Sequence, residues 1–385
     1  MLVVSQIAMS VVLLCATGLF LRSLNSAAHI DVGFRSRGVL MMAVDPSLHG
    51  YTAQQTAQFL DQLRDRVAAI PGVASAAITD ITPLSGGGRS DGFSIVGRKS
   101  NKPNPIVELY MATPGYLETM GIPRIAGRDF GHENPAGQKV AIVSESMATT
   151  LFGKENPIGQ HVNGAGVDYE IVGIVKNIKA RSLGEDLRPV LYRSLDQSIS
   201  GDPSVMGYSL LVHTAGDSAS VAAAVRQTIH TMDPTLAIFN AETIEEHLHE
   251  ALFLPRLAGT LFGVFGFAGL LLASIGLYGV ISYSVSRRTQ EIGIRMALGA
   301  QIAEVQRLIV GQGMRLTVVA VAIGLPAAFT ISKFASSILY GVRPHDVTTF
   351  TIVPVSLLAV ALFACWIPSR RASKVDPIKA LRCDG

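Results

Sequence analysis

Thirty consecutive residues, Leu257 to Ser286, carry no charge. A hydrocarbon core of about 30 Å is crossed by roughly 20 helical residues, so a run of this length spans a bilayer with tilt and excludes an ordinary globular fold. Three more uncharged stretches qualify: Leu2 to Leu21, Val347 to Ser369, and Leu316 to Ser332, the last extended upstream by Leu308, Ile309 and Val310. The pattern predicts four transmembrane helices, over 1–24, 257–286, 308–332 and 347–369. Arg315 falls near one end of the third, where a long side chain reaches the headgroups while its stem stays in apolar surroundings.

The net charge of +3 becomes informative when divided by segment. Residues 22–256 hold 20 Lys/Arg against 24 Asp/Glu. The segment between the second and third helices has Arg287, Arg288, Arg295, Arg307 and Arg315 against Glu291 and Glu304. The tail has Arg370, Arg371, Lys374, Lys379 and Arg382 against Asp376 and Asp384. Basic residues in short loops mark the cytoplasmic side. The prediction is a multi-pass membrane protein, with 22–256 outside and the C-terminus inside. Cys15 and Cys365 lie in apolar spans and Cys383 in the tail, so the external region must be stable without disulfides. Ser26-Ala27-Ala28 imitates a signal-peptidase site, but the preceding core is too long and no basic n-region precedes it, so the first helix reads as uncleaved. A chain that starts almost inside the membrane reads as a fragment or one half of a longer design.

The external region, 30–250, is long enough for two subdomains. Gly38–Val44 reads as a strand; a helix capped by Thr52 aligns Phe59, Leu63, Val67 and Ile70 until Pro71-Gly72; Val73–Thr79 reads as a second strand. The order returns near the end. Tyr208–Thr214 is strand-like, Val221, Val225, Ile229 and Met232 form a helical stripe stopped by Asp233-Pro234, and Leu236–Phe239 is a further strand. Two strand-helix-strand units, 37–82 and 205–248, thus flank a strand-rich insertion over about 90–200. Its expected strands are Phe93–Gly97, Val107–Ala112, Lys139–Val143 and Tyr169–Val175, with an Asn163-Gly164 turn and a helix from Glu145 to Phe152. Thr243 and Glu246 have capping-box spacing, for a helix running toward Leu257 with a kink or break at Pro255. The fold class is a membrane protein with four transmembrane α-helices and a large α+β extracytoplasmic domain.

Chemistry is sparse. Pro83-Leu-Ser-Gly-Gly-Gly-Arg89 has neither the spacing nor the ending of a phosphate-binding loop and reads as a flexible loop. Only His247 and Glu250 can share a helix face, and two ligands make no zinc site. Ser144-Glu-Ser146 lacks the glycines of a nucleophile elbow, and an N-cap accounts for Ser144. No catalytic residue, metal site or cofactor is assigned to this chain, and no nucleic-acid partner. A membrane-anchored enzyme would need acid, base or metal residues that converge from distant positions.

Behind Ser286 the chain reads RRTQEIGIRMALGA. Glu291 and Arg295 stand four apart in the favourable acid-first order, as do Ile292 with Met296 and Ile294 with Leu298, and Gly299 is placed to end a helix. Such a segment either lies on lipid headgroups or docks into the groove of a cytoplasmic partner.

EIGIRMALGA after an apolar helix, with IPSRRASKVDPIKALR closing the chain, resembles the membrane domain of FtsX/MacB-type ABC transporter permeases. TPGYLETMGIPRIAGRDF (Thr113–Phe130), VAIVSESMATTLFGKENPIGQ (Val140–Gln160) and YEIVGIVKNIK (Tyr169–Lys179) resemble the same family's periplasmic core domain. The likeness covers nearly the whole chain and extends to large duplicated orphan permeases of acidobacteria, of which this would be one half. It implies a porter-like part made of the two flanking units and an FtsX-like membrane domain over 257–385. It also implies a coupling helix at 289–299, in which Glu291, Ile292, Gly293, Ile294, Arg295, Met296, Ala297, Leu298, Gly299 and Ala300 contact an ATPase. The partners implied are an ABC ATPase, carrying ATP and Mg, and a second permease half, identical or similar. Because no ATPase domain precedes the first helix, the ATPase is expected on a separate chain. The function implied is export or extraction of a substrate by mechanical transmission. The alternative is a non-transporting scaffold that controls an external partner such as a cell-wall hydrolase.

Overall fold

The computed structural model describes residues 2–27, 30–98, 103–164, 166–200, 204, 207–216, 218–288, 294, 301–334 and 346–372. They form two compact units: a membrane unit, Met1–His29 with Phe253–Gly385, and a sheet domain, Ile30–Leu252.

The chain enters through α1 (Leu2–Ala27) and reaches the sheet domain at β1 (Val39–Val44). Thr52 then caps α2 (Ala53–Ala68), its hydroxyl taking the Gln55 N–H while the Gln55 side chain takes the Thr52 N–H. The stripe expected on α2 is buried at Phe59, Leu63 and Val67, and β2 (Val73–Thr79) follows. The insertion holds β3 (Arg89–Gly92), β4 (Ser94–Ile95), β5 (Ile106–Ala112), α3 (Tyr116–Thr119), β6 (Arg124–Gly127), β7 (Val140–Ser144), α4 (Glu145–Phe152), β8 (His161–Gly164), β9 (Val167–Val175), β10 (Val190–Ser194) and α5 (Leu195–Ser198). The second flanking unit is β11 (Tyr208–Thr214), α6 (Ser218–Met232) and β12 (Ile238–Thr243), followed by α7 (Ile244–Ala251).

The two strand-helix-strand units interleave. The order is β12-β1-β11-β2, antiparallel throughout, so β11 lies between the strands of the first unit and β1 between those of the second. Each unit is therefore a split crossover, and neither sheet half exists without the other. Strand alternation sends Leu40, Met42 and Val44, with Leu210 and Val212, into one core with α2 and α6. A separate core holds Phe93, Val107, Leu109, Val143, Met147, Phe152, Tyr169 and Ile171. The sheet passes between the two regions through one pair, Thr79 with Ala112, after which β5, β10, β7 and β9 alternate parallel and antiparallel.

Several details differ from expectation. The last strand of the second unit begins at Ile238 rather than Leu236 and runs to Thr243. Asn163 and Gly164 belong to β8, and the hairpin closes beyond them, where Gly166 has φ 75°. Gly164 is required by packing, because a Cβ there would stand 2.4 Å from the buried Phe93 ring. The capping box at Thr243 and Glu246 forms, but the helix ends at Ala251 and a new one starts at Phe253, so the break precedes Pro255. In the first turn of a helix, proline loses no hydrogen bond.

The membrane unit completes with α8 (Phe253–Arg287), α9 (Ile302–Phe334) and α10 (Val347–Ala372). With α1 these are the four helices long and apolar enough to cross a membrane among the described residues. Glycines set the spacing of α1 and α8. Gly259 faces Phe20, Gly263 faces Thr17, Gly266 faces Leu14, Gly269 faces Ser10 and Gly276 faces Gln6, so the two helices run antiparallel along a seam of small residues. Helix α9 seats Gly324 on Val11 and Gly313 on Cys365. Arg315 is exposed, and Lys333 lies 18 residues further on, about 27 Å along the helix, which places Arg315 at the rim of a hydrocarbon layer measured from Lys333.

Candidate functional site

Among the described residues, three places bear on a functional site. The first is the connection between α8 and α9. Arg287 closes α8 with its guanidinium 5.3 Å from the Tyr283 ring, a pairing that anchors a helix end at the membrane interface. Lys333 over Phe329 and Arg370 over Trp366 end α9 and α10 in the same way. Ile294 is helical and exposed. The other expected coupling residues, Glu291 to Gly293 and Arg295 to Ala300, lie outside the described residues. At the opposite end of α9, Asp346 caps α10 by accepting the Thr349 N–H and hydroxyl, and Arg22 of α1 pairs with the same carboxylate.

The second place is where the three sequence motifs of the insertion meet. In the first, Thr113 takes the Ile78 N–H on its hydroxyl at 2.8 Å, Tyr116 is fully buried, and the Thr119 hydroxyl donates to Ser75 at 3.0 Å. Gly127 has φ 77°, and a Cβ there would lie 2.2 Å from the Val172 carbonyl. In the second, the Ser144 hydroxyl accepts from Met147 N–H at 3.3 Å and Val190 N–H at 2.9 Å, which seats α4 on β10. Asn177 of the third accepts the Ser146 N–H at 2.8 Å. Close by, the buried Glu108 carboxylate holds Arg181 at 2.9 Å and Arg188 at 3.3 Å, and Arg188 also pairs with Glu185 at 2.6 Å. Tyr192 packs between Tyr110 and Tyr116 with tilted rings, centroids 5.6 and 5.8 Å apart. Every one of these side chains fixes backbone or packs, so the motifs specify the fold of the insertion. Ser144 is an N-cap, as its position predicts.

The third place is a cavity of about 700 Å³ inside the sheet domain. Met41, Ala43 and Ser209 form its floor, on the face opposite the core because strand side chains alternate. Ile81, Thr82, Ser85 and Gly87 of the loop after β2 form one wall, and β12 with α7 the other. The glycine-rich loop is thus part of this cavity; Leu84 within it has φ 66° and is tied to the Ala180 carbonyl at 2.8 Å. Asp80, Glu242, Glu246 and Glu250 face the space, with His247. His247 Nδ1 lies 3.1 Å from Glu242 rather than sharing a ligand with Glu250. Among the described residues no group of three or more His, Cys, Asp or Glu is placed to hold a metal ion. Burial pushes the Asp80 carboxyl up to about 6, against the Met111 N–H, Arg193 and Arg89, which pull it down.

Among the described residues, four helices long and apolar enough to cross a membrane, with a large sheet domain inserted between the first and second, are the pattern of a polytopic membrane protein. The MacB-like periplasmic core domain family matches residues 1–229 and the FtsX-like permease C-terminal family matches 263–377. The chain belongs to the FtsX/MacB-type ABC transporter permeases. Among curated proteins it is 28% identical over 276 residues to the uncharacterized ABC transporter permease YknZ of Bacillus subtilis, covering 70% of this chain and 68% of that one. It is 24% identical over 271 residues to the macrolide export ATP-binding/permease protein MacB of Marinobacter nauticus, covering 67% of this chain. It spans 40% of that MacB's length. Among solved structures, the periplasmic region of MacB from Actinobacillus actinomycetemcomitans aligns with a TM-score of 0.40 at 14% identity, over 56% of this chain and 94% of that one.

Proposed function

We propose that this chain is a permease subunit that couples ATP hydrolysis by an ABC ATPase in trans to movement of its sheet domain, exporting or extracting a substrate on the outer side of the inner membrane. The observation that carries the reading is the joint match of a MacB-like core domain and an FtsX-like membrane domain in one chain. The curated MacB relative is an ATP-binding/permease protein for macrolide export, which supports an ATPase partner and an export direction. In this reading the segment from Glu291 to Ala300 is the ATPase-docking helix, ATP and Mg are held by the ATPase, and a second permease half completes the assembly. Basic residues flanking the segment support its cytoplasmic position. Positioned helix ends and a compact sheet domain supply mechanical transmission, with no chemistry required of this chain.

The test is affinity purification of the tagged chain from its native cells in mild detergent, beside a Met296→Glu variant. An ABC ATPase is expected to co-purify with the natural chain and to be lost from the variant. Equal recovery with both chains overturns the docking assignment, and absence of an ATPase from the natural chain overturns the partner.

A further inference from the structure

Among the described residues, the flanking half of the sheet and its insertion share one strand pairing, Thr79 of β2 with Ala112 of β5. Elsewhere neighbours pair along most of their length, as β2 does with β11 from Val73 to Thr79. Around the single pair, the Asp80 N–H donates to the Met111 carbonyl at 3.3 Å and the Thr113 N–H to the Ile78 carbonyl at 3.0 Å. A regular antiparallel ladder returns each such bond from N–H to carbonyl. Here both return bonds go to side chains instead. The Met111 N–H donates to Asp80 Oδ1 at 2.7 Å, and the Ile78 N–H to Thr113 Oγ1 at 2.8 Å. The junction is thus a clasp of two side chains where a ladder would otherwise continue. Motion there is local, because the Thr119 hydroxyl holds Ser75 and the side chains of Met111, Leu195 and Ile199 pack into the flanking core.

The two halves of the clasp differ in chemistry. Thr113 is neutral at every pH, whereas Asp80 is ionisable and only 4% exposed. Arg89 of β3 and Arg193 of β10 favour its charged form, as does the Met111 N–H. Tyr110 of β5, Tyr116 of α3 and Tyr208 of β11 stand near it as neutral phenols. Glu242 of β12 and Glu246, His247 and Glu250 of α7 line the same cavity. Burial outweighs the two arginines, so the carboxyl sits at about 6 in the shut junction against 3.8 in water. A carboxylate held away from water favours any arrangement that readmits water, and a protonated carboxyl does so far less.

We propose that this junction is a pH-sensitive clasp, shut while Asp80 carries a proton and opening locally once Asp80 is ionised, so that pH sets how firmly the insertion is joined to the flanking half. Opening lets water reach the carboxylate, which returns to its ordinary acidity. The shut form therefore binds the proton more tightly than the open one. By linkage the opening constant rises with pH between 3.8 and about 6 and is level above that, a change of about 100-fold in all. The device depends neither on an ATPase nor on transport.

Amide hydrogen exchange of the purified full chain in detergent, resolved by residue and corrected for the intrinsic rate at each pH, tests this between pH 4 and pH 8. The opening constants at Met111 and Ile78 are expected to rise about 100-fold up to about pH 6 and then to level, while amides in the β1–β11 and β7–β9 ladders change far less. Asp80→Asn is expected to hold Met111 at its low-pH protection throughout. Thr113→Val removes the other acceptor without touching a titratable group, so it is expected to speed exchange at Ile78 about tenfold at every pH and to keep the pH profile. That variant and the natural chain keep the test decisive where Asp80→Asn perturbs the domain. A flat profile at Met111, or the natural profile retained in Asp80→Asn, overturns the role of Asp80. The same pH dependence in the ladders as at the junction means that the whole domain opens together, and overturns the clasp.

Discussion

At the scale of single residues, Asp80 is where the sheet domain departs furthest from solution chemistry. Its carboxyl rises from 3.8 to about 6 because burial penalises the charged form more than Met111 N–H, Arg193 and Arg89 favour it. Between those two values the folded chain holds a proton that the unfolded chain has released, so stability falls as pH rises through the interval. The penalty is fully present above about pH 6 and is lost as pH falls toward the unfolded value. Asp80→Asn keeps an oxygen for Met111 N–H and removes the charge. In thermal melts of the full chain the variant is expected to exceed the natural protein at about pH 7.5 by on the order of 3 kcal/mol, and to match it near pH 4. A variant less stable at neutral pH would show that the charge is compensated by Arg193 and Arg89. Nothing in Thr79-Asp80-Ile81-Thr82 announces this: a lone aspartate after a strand reads as a turn residue, and its burial depends on strands β5 and β11, far away in sequence.

Among elements, local signals were readable and pairings were not. Caps at Thr52, Ser144 and Thr243 each act within three residues, so they stand out in the sequence and form as expected. Strand β10 escaped notice because its five residues follow a proline and its partners, β5 and β7, are long-range. The interleaving of the two flanking units was hidden for the same reason. In the membrane unit the glycines of α8 and α9 set the seams, and nothing in the sequence pattern marks them. Gly324 shows the consequence. A Cβ there would stand 2.8 Å from Val11 Cβ and 2.9 Å from the Ala8 carbonyl, whereas at Gly279 it would meet nothing within 4 Å. Alanine is the better helix former at both positions, so packing decides the sign. Gly324→Ala is expected to lose about 1–3 kcal/mol and Gly279→Ala to be neutral or slightly stabilising, read as melting temperatures in the same micelles. Equal shifts would mean that α1 and α9 do not pack at this seam.

For the whole molecule, the reading depends on which side of the membrane each part occupies. Helix α1 runs antiparallel to α8 along the glycine seam, so the end of α8 lies on the same side as the start of α1. The coupling of the amphipathic stretch 289–300 to an ATPase is a proposal, and the arginines at Arg287, Arg288, Arg307, Arg370 and Arg371 support its proposed cytoplasmic placement. The chain offers its own probe. Cys15 and Cys365 are buried in the helix bundle, and Cys383 is in the tail. A cysteine at the exposed Gln54 of α2, made as Gln54→Cys with Cys383→Ser, reports on the sheet domain. A membrane-impermeant maleimide applied to spheroplasts is expected to label the Gln54→Cys protein, and to label natural Cys383 only after permeabilisation. The reverse pattern would put residues 289–300 outside, beyond reach of any cytoplasmic ATPase. The mechanical coupling would then fail even though the fold and the family stand.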